Sequence, residues 1–183
     1  PVSQAETRAY YRGYANGALW PLFHYTPERC SFDATQFEVY RRVNERFADH
    51  IAEVAGEEDL IWVHDYLLML VPEMVRARLP GARIGFFHHI PFPSSEMFRL
   101  LPQREEILRG LLGADVIGLH TYDYARHLVS SILRVLGIHT RDGVAEVDGR
   151  PVHIATQPIG IDVAAMRAAA FSRAAMNRSR DLR

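Results

Sequence analysis

Leu60-Ile61-Trp62-Val63 is a short apolar run that stops abruptly on His64-Asp65. The same arrangement returns twice. Arg83-Ile84-Gly85-Phe86-Phe87 ends in His88-His89, and Asp115-Val116-Ile117-Gly118-Leu119 ends in His120-Thr121. Apolar runs this short, bounded by polar breakers, have the length of buried strands rather than of helices. The segments between them carry apolar residues at helical spacing. Leu67–Leu79 is stopped by Pro80-Gly81. A second stretch, capped by Ser94 or Ser95 and restarted at Pro102, runs through Ile107, Leu108, Leu111 and Leu112 to Gly113. Tyr122–Leu136 is closed by Gly137. Short strands alternating with amphipathic helices predict an α/β fold, a parallel sheet with helices on both faces.

Outward from this repeat the signals change. Upstream, Phe37, Val39, Tyr40, Val43, Phe47, Ile51 and Val54 predict a helix over Phe32–Glu53 with Asp33 as N-cap, broken by Gly56-Glu57-Glu58-Asp59. Downstream, Val144–Val147 and Pro151–Ala155 flank Asp148-Gly149, a hairpin signal. A loop over Gln157–Asp162 follows, then a helical stretch from about Val163 that is rich in Ala and Arg and has no later strand to cover. The first residues, Pro1-Val2-Ser3-Gln4-Ala5-Glu6, include no initiator Met and no basic start before an apolar run. They do not read as a signal peptide but as the interior of a longer protein.

The 183 residues are 48% hydrophobic and 23% charged, enough to bury a core without staples. With a net charge of −1 and Arg scattered among acids, nothing calls for nucleic acid or an anionic membrane. The apolar stretch Tyr66–Pro72 falls far short of the roughly 20 residues of a membrane span. All 21 basic residues are Arg. That excludes P-loop, Schiff-base and other lysine chemistry within the chain, and any phosphate gripped by a side-chain cation is gripped by Arg. The single cysteine, Cys30, excludes an intrachain disulfide and fits a reducing, cytoplasmic compartment.

Ligands of open parallel sheets bind outside the carboxyl ends of the strands. Here those ends bear His64-Asp65, His88-His89 and His120-Thr121, so ionisable residues collect at one rim. Taken singly, each has a structural explanation: a strand-end His is often only hydrogen-bonded, and Asp65 can cap the helix that follows. Three converging ends weaken that explanation. His64, Asp65, His89 and His120 are competent metal ligands, yet no HExxH, HxH or Cys pair is present, and the expectation is no metal. No GxGxxG follows a strand, and no GxSxG elbow exists. The aromatic stretch Tyr10-Tyr11, Tyr14 and Trp20–Tyr25 suits core packing by composition. Beside Asp and His at a rim, it also suits a polyol pocket.

Several blocks resemble the trehalose-6-phosphate synthase family. They are Asn16-Gly17-Ala18-Leu19-Trp20-Pro21-Leu22-Phe23-His24-Tyr25, Trp62–Leu68, Ile84–Glu96, Arg104–Asp115, His120–His127 and Pro158-Ile159-Gly160-Ile161-Asp162. The resemblance covers about Tyr10–Asp162, in order. It implies one Rossmann-like domain of a two-domain GT-B glycosyltransferase. It also implies retaining transfer of glucose from a nucleotide sugar, usually UDP-glucose, to glucose 6-phosphate, without cofactor or metal. By this resemblance Tyr11 and Trp20 contact the acceptor glucose 6-phosphate, and Asp65 and Tyr66 hydrogen-bond its hydroxyls. His89 lies at the donor glucose and is the catalytic candidate, while His64, His88 and His120 are supporting residues.

Family members carry an Arg-bearing Gly-rich loop before this region. After it they carry a second domain whose Arg-Lys pair holds the donor diphosphate. The resemblance therefore implies that residues 1–162 are an incomplete N-terminal acceptor domain, that 163–183 form a helical tail, and that the donor domain lies outside the chain. Alone, the chain is expected to be inactive, with an uncovered sheet edge or face that favours a homo-oligomer. A related synthase using glycerol 3-phosphate, or a non-catalytic sugar-phosphate-binding module, are the alternatives.

Overall fold

The computed structural model describes residues 3–181. Ser3 caps a first helix, α1 (Gln4–Thr7), which widens over Arg8–Leu19 and tightens again as α2 (Trp20–Phe23). In the widened stretch hydrogen bonds span five residues, as where the Trp20 N–H donates to Ala15 O. Tyr14 fastens this stretch to α3 (Ala34–Val54) through ring contacts with Phe37 at 4.9 Å and Tyr40 at 5.0 Å. Asp33 caps α3 as expected, accepting from the Thr35 N–H at 2.7 Å and the Gln36 N–H at 3.3 Å.

The three expected strands appear as β1 (Leu60–His64), β2 (Arg83–His88) and β3 (Val116–Leu119). They alternate with α4 (Val71–Arg78), α5 (Ser95–Phe98), α6 (Arg104–Leu112) and α7 (Tyr122–Leu136). Two further strands, β4 (Thr140–Arg141) and β5 (Val144–Val147), lead to β6 (Arg150–Thr156). The sheet order is β1-β2-β3-β6-β5-β4, with the first four parallel and the last two antiparallel. Asp148-Gly149 makes the expected two-residue hairpin, both residues at positive φ (50° and 75°). Asp142-Gly143 makes a second between β4 and β5 (51° and 78°), which the sequence reading did not single out.

The segment Leu67–Leu79, expected as one helix, is divided. A single 3-10 turn over Tyr66–Leu68 precedes α4, which begins only at Val71. Pro72 explains the division, because a residue without an N–H belongs in the first helical turn. α6 then packs on α4 with almost no side chain between them. A Cβ on Gly113 would sit 2.1 Å from the Glu73 nitrogen, and one on Gly110 would sit 2.5 Å from Met69 O.

The parallel α/β class is as expected; the cover on both faces is not. Because β1, β2, β3 and β6 follow one another across the sheet, each right-handed crossover advances the same way and lays its helix on the same face. That face buries Val63, Ile84, Phe86, Ile117, Leu119, Val152 and Ile154 in the core. On the opposite face Leu60, Trp62 and Val116 are exposed, with Trp62 at 63%. Beyond β6, α8 (Val163–Ala170) and α9 (Arg173–Asp181) contain no buried residue. Among the described residues no helix is long and apolar enough to cross a membrane.

Candidate functional site

The ladder between β1 and β2 continues one residue past β1, where the Asp65 N–H donates to Phe87 O at 2.8 Å. The chain then turns sharply, and the Leu68 N–H donates back to Asp65 O at 3.1 Å. Held from both sides, Asp65 adopts φ 69° and ψ 171°, a region that in practice belongs to glycine. Such a conformation costs about 1–3 kcal/mol and concentrates at functional sites. The strain sets the Asp65 carboxylate at the strand-end rim. One oxygen accepts from the Tyr66 N–H at 2.9 Å, so the cap role read from the sequence and a ligand role coexist.

Tyr66 is fixed from below and above. The Tyr40 hydroxyl donates to Tyr66 O at 2.7 Å, and the Tyr66 hydroxyl donates to Asn16 Oδ1 at 2.9 Å. Burial first, then the nearby Tyr11 and Asp65 oxygens, push the Tyr66 phenol up to about 12, so it remains a protonated donor at neutral pH. The Trp20 ring lies 5.5 Å from that of Tyr66 and stacks on His24 at 4.1 Å. Trp20 is 42% exposed and Tyr11 46%, which leaves two aromatic surfaces open beside a carboxylate and a phenol.

The widened first helix brings these aromatics to the rim. Tyr10 bonds Leu67 O at 2.9 Å and Tyr14 bonds Gln103 Oε1 at 3.0 Å, so the helix is pinned over the turn after β1. His89 reaches the same rim from β2. Burial first, then His64 and His120, lower its pKa against the opposing pull of Asp65. Tyr11, Trp20, Asp65, Tyr66 and His89 are thus gathered on one rim by α2, the helix before it, and the ends of two strands.

The neighbouring imidazoles divide by strand parity. His88 points into the helix-covered core at 1% exposure, between Phe23 and Phe92, with its Nδ1 unpartnered. Burial lowers its pKa to about 3. His64, His89 and His120 instead line the open side, together with Trp62 and Phe87. One contributor was missed from the sequence and another was read only as a supporting residue. Asn16 sits in a motif already quoted, but nothing in one dimension shows that it faces Tyr66. His64, expected only as support, bonds His89 directly. No cluster of three or more His, Cys, Asp or Glu side chains is placed to hold a metal among the described residues. A separate hollow bordered by Glu96, Arg99, Arg104 and Arg134 contains none of the five rim residues.

Fold and rim define a class: a Rossmann-like α/β domain whose strand-end rim gathers a carboxylate, a phenol, an indole and an imidazole. The sequence profile of glycosyltransferase family 20 matches residues 1–183, and the chain belongs to that family. It is 50% identical over 159 residues to the 56 kDa subunit of a UDP-forming α,α-trehalose-phosphate synthase of Kluyveromyces lactis. That match covers 84% of this chain and 33% of the relative, so the chain spans about a third of the relative's length. A crystal structure of a Burkholderia xenovorans UDP-forming α,α-trehalose-phosphate synthase in complex with glucose-6-phosphate superposes with a TM-score of 0.82 at 31% identity, over 96% of this chain and 40% of that one. The N-terminal domain of Candida albicans trehalose-6-phosphate phosphatase superposes at 0.80 with 39% identity, over 93% of this chain and 37% of that one.

Proposed function

We propose that residues 1–162 are the acceptor side of a retaining glucosyltransferase that moves glucose from UDP-glucose to glucose 6-phosphate, giving trehalose 6-phosphate. The observation that carries this reading is Asp65, held in a strained backbone at the rim beside Trp20, Tyr66 and His89. Trp20 offers an apolar face to a sugar ring, and Tyr11 a second aromatic wall. Asp65 accepts hydroxyl protons, and the Tyr66 oxygen, its own proton given to Asn16 Oδ1, can accept another. His89 stands where a donor glucose would meet the acceptor, and a neutral imidazole there orients a hydroxyl and responds to developing charge. Two of the proteins named above are UDP-forming synthases, and one of these was crystallised with glucose-6-phosphate, which supports both substrates.

The chain has no lysine, so the Arg-Lys pair expected to hold the donor diphosphate does not lie within it. Donor binding is therefore assigned to a second domain outside these 183 residues, with no transfer by this chain alone. The half-buried thiol of Cys30 fits a reducing cytoplasm. Calorimetric titration with glucose 6-phosphate should show binding, weakened about ten- to hundredfold in Asp65→Asn by loss of one charge-assisted bond worth about 1.5–3 kcal/mol. Tighter binding of glycerol 3-phosphate, or equal binding by both proteins, overturns the acceptor assignment. The likeness to the domain of a phosphatase favours one second reading, a sugar-phosphate-binding module without turnover. Joined to a family donor domain, the chain should transfer glucose; binding without transfer selects the module.

A further inference from the structure

His64 Nδ1 and His89 Nε2 stand 2.9 Å apart. At that distance they share a hydrogen bond, which requires a proton on one nitrogen and a bare lone pair on the other. Ring packing holds the pair in place. Trp62 lies 4.6 Å from His64, Phe87 lies 4.7 Å from His89, and His120 faces His89 at 5.9 Å from the end of β3. The ionisable groups facing His89 are Asp65 and His64 from the end of β1 and His120 from β3; burial and the two imidazoles outweigh Asp65. His89 is therefore neutral at pH 7, with one N–H to place.

A neutral histidine side chain in water prefers its proton on Nε2. If both rings keep that form, the His89 Nε2–H donates to a bare His64 Nδ1, and neither preference is violated. The reverse bond would require the less favoured form in both rings. We propose that His64 is a positioning residue: by accepting from the His89 Nε2–H it fixes the His89 tautomer and leaves His89 Nδ1 as a lone-pair acceptor for a hydroxyl of the donor sugar. Among the described residues no protein group bonds His89 Nδ1, and the ring is exposed. The inference rests on the reading of the rim as a sugar site, but its first consequence is a protonation state that is observable without substrate.

Long-range proton–nitrogen correlation spectra of the labelled 183-residue chain at neutral pH test it. In the wild type His89 should be protonated on Nε2 and bare on Nδ1. In His64→Leu the two His89 nitrogens should move toward the averaged position of a ring exchanging between tautomers. His64→Asn places an amide oxygen near the former Nδ1 and should restore the wild-type pattern. His64 is exposed, and the backbone amide spectrum shows that each variant keeps the fold. Protonation of His89 on Nδ1 in the wild type, or His89 signals unchanged in His64→Leu, overturns the proposal. A locked tautomer in a chain that fails to bind glucose 6-phosphate leaves the positioning intact and removes the sugar-site reading instead.

Discussion

The two ends of the parallel sheet are built on opposite rules. At the amino end Asp115, Arg76 and Arg150 are committed to one another and to the backbone. Asp115 accepts from Arg76 at 2.7 Å, from Arg150 at 3.2 Å and from the Ile84 N–H at 2.8 Å. The two guanidiniums also cap the carbonyls of Gly113, Pro80, Ala82, Ala114 and Leu112. At the carboxyl end, the Asp65 backbone is strained, His89 Nδ1 has no protein partner among the described residues, and Trp20 and Tyr11 stand open. One end is satisfied internally and stabilises the fold. The other holds its groups in place without completing them, which leaves them available to a ligand.

The largest effect should come from breaking the satisfied end. Asp115→Ala strands two partly buried guanidiniums and a backbone N–H, and should lower unfolding free energy in urea by about 3 kcal/mol. Its His89 signals should stay at their wild-type positions, because the rim does not depend on that network for its protonation. A loss below about 1 kcal/mol would reduce the network to surface decoration.

His88 is the test case between the two rules, a polar group at the carboxyl end turned inward and left incomplete. Its folded pKa of about 3 lies below the ordinary value of 6.5, so the unfolded chain takes up its proton first as pH falls. The stability it permits is therefore full above about pH 6.5 and lost progressively below that, toward pH 3. At about 1.4 kcal/mol per pH unit, roughly 2–3 kcal/mol should be gone by pH 4.5. His88→Leu should remove that component of the acid dependence. Denaturant melts across this window with equal slopes for both proteins would contradict it.

At the open end, Asp65→Gly should relieve the backbone. It should raise stability by about 1 kcal/mol while abolishing detectable binding of glucose 6-phosphate. Gain of binding, or loss of stability, would break the contrast between the ends. The smallest effect is expected on the bare sheet face, which we propose drives weak self-association through Trp62 and Val116. Sedimentation should show concentration-dependent association that Trp62→Glu diminishes, and a monomer at all concentrations would exclude it.

Much of this architecture was legible in one dimension because strand length and helical spacing are local properties. Apolar runs ending on His64, His88 and His120 gave three strands and their common rim. Asp33, the Ser94-Ser95 pair, of which Ser94 is the cap, and Gly137 marked helix boundaries through chemistry confined to a single turn. Where local rules competed, the reading slipped. Apolar spacing in Leu67–Leu79 continues through Pro72, but the missing N–H decides where α4 starts. The glycines Gly110 and Gly113 formed no dinucleotide motif, and their use as a close helix contact depends on α4 arriving from elsewhere in the chain.

The sequence by itself determined the parallel α/β class, the three strands that end at the rim, and the residue types that stand on it, because backbone period and turn chemistry act within a few residues. The five candidates Tyr11, Trp20, Asp65, Tyr66 and His89 were legible by resemblance. The resemblance singled out His89 over His88, but only the tertiary structure gave the physical reason that His88 serves the core and His89 the rim. Pleating sends neighbours to opposite faces, and the direction of the crossovers chose the face that helices cover. Only the fold could bring Asn16 to Tyr66 and His64 to His89, residues 50 and 25 positions apart whose hydrogen bonds exist because separate elements end at the same place.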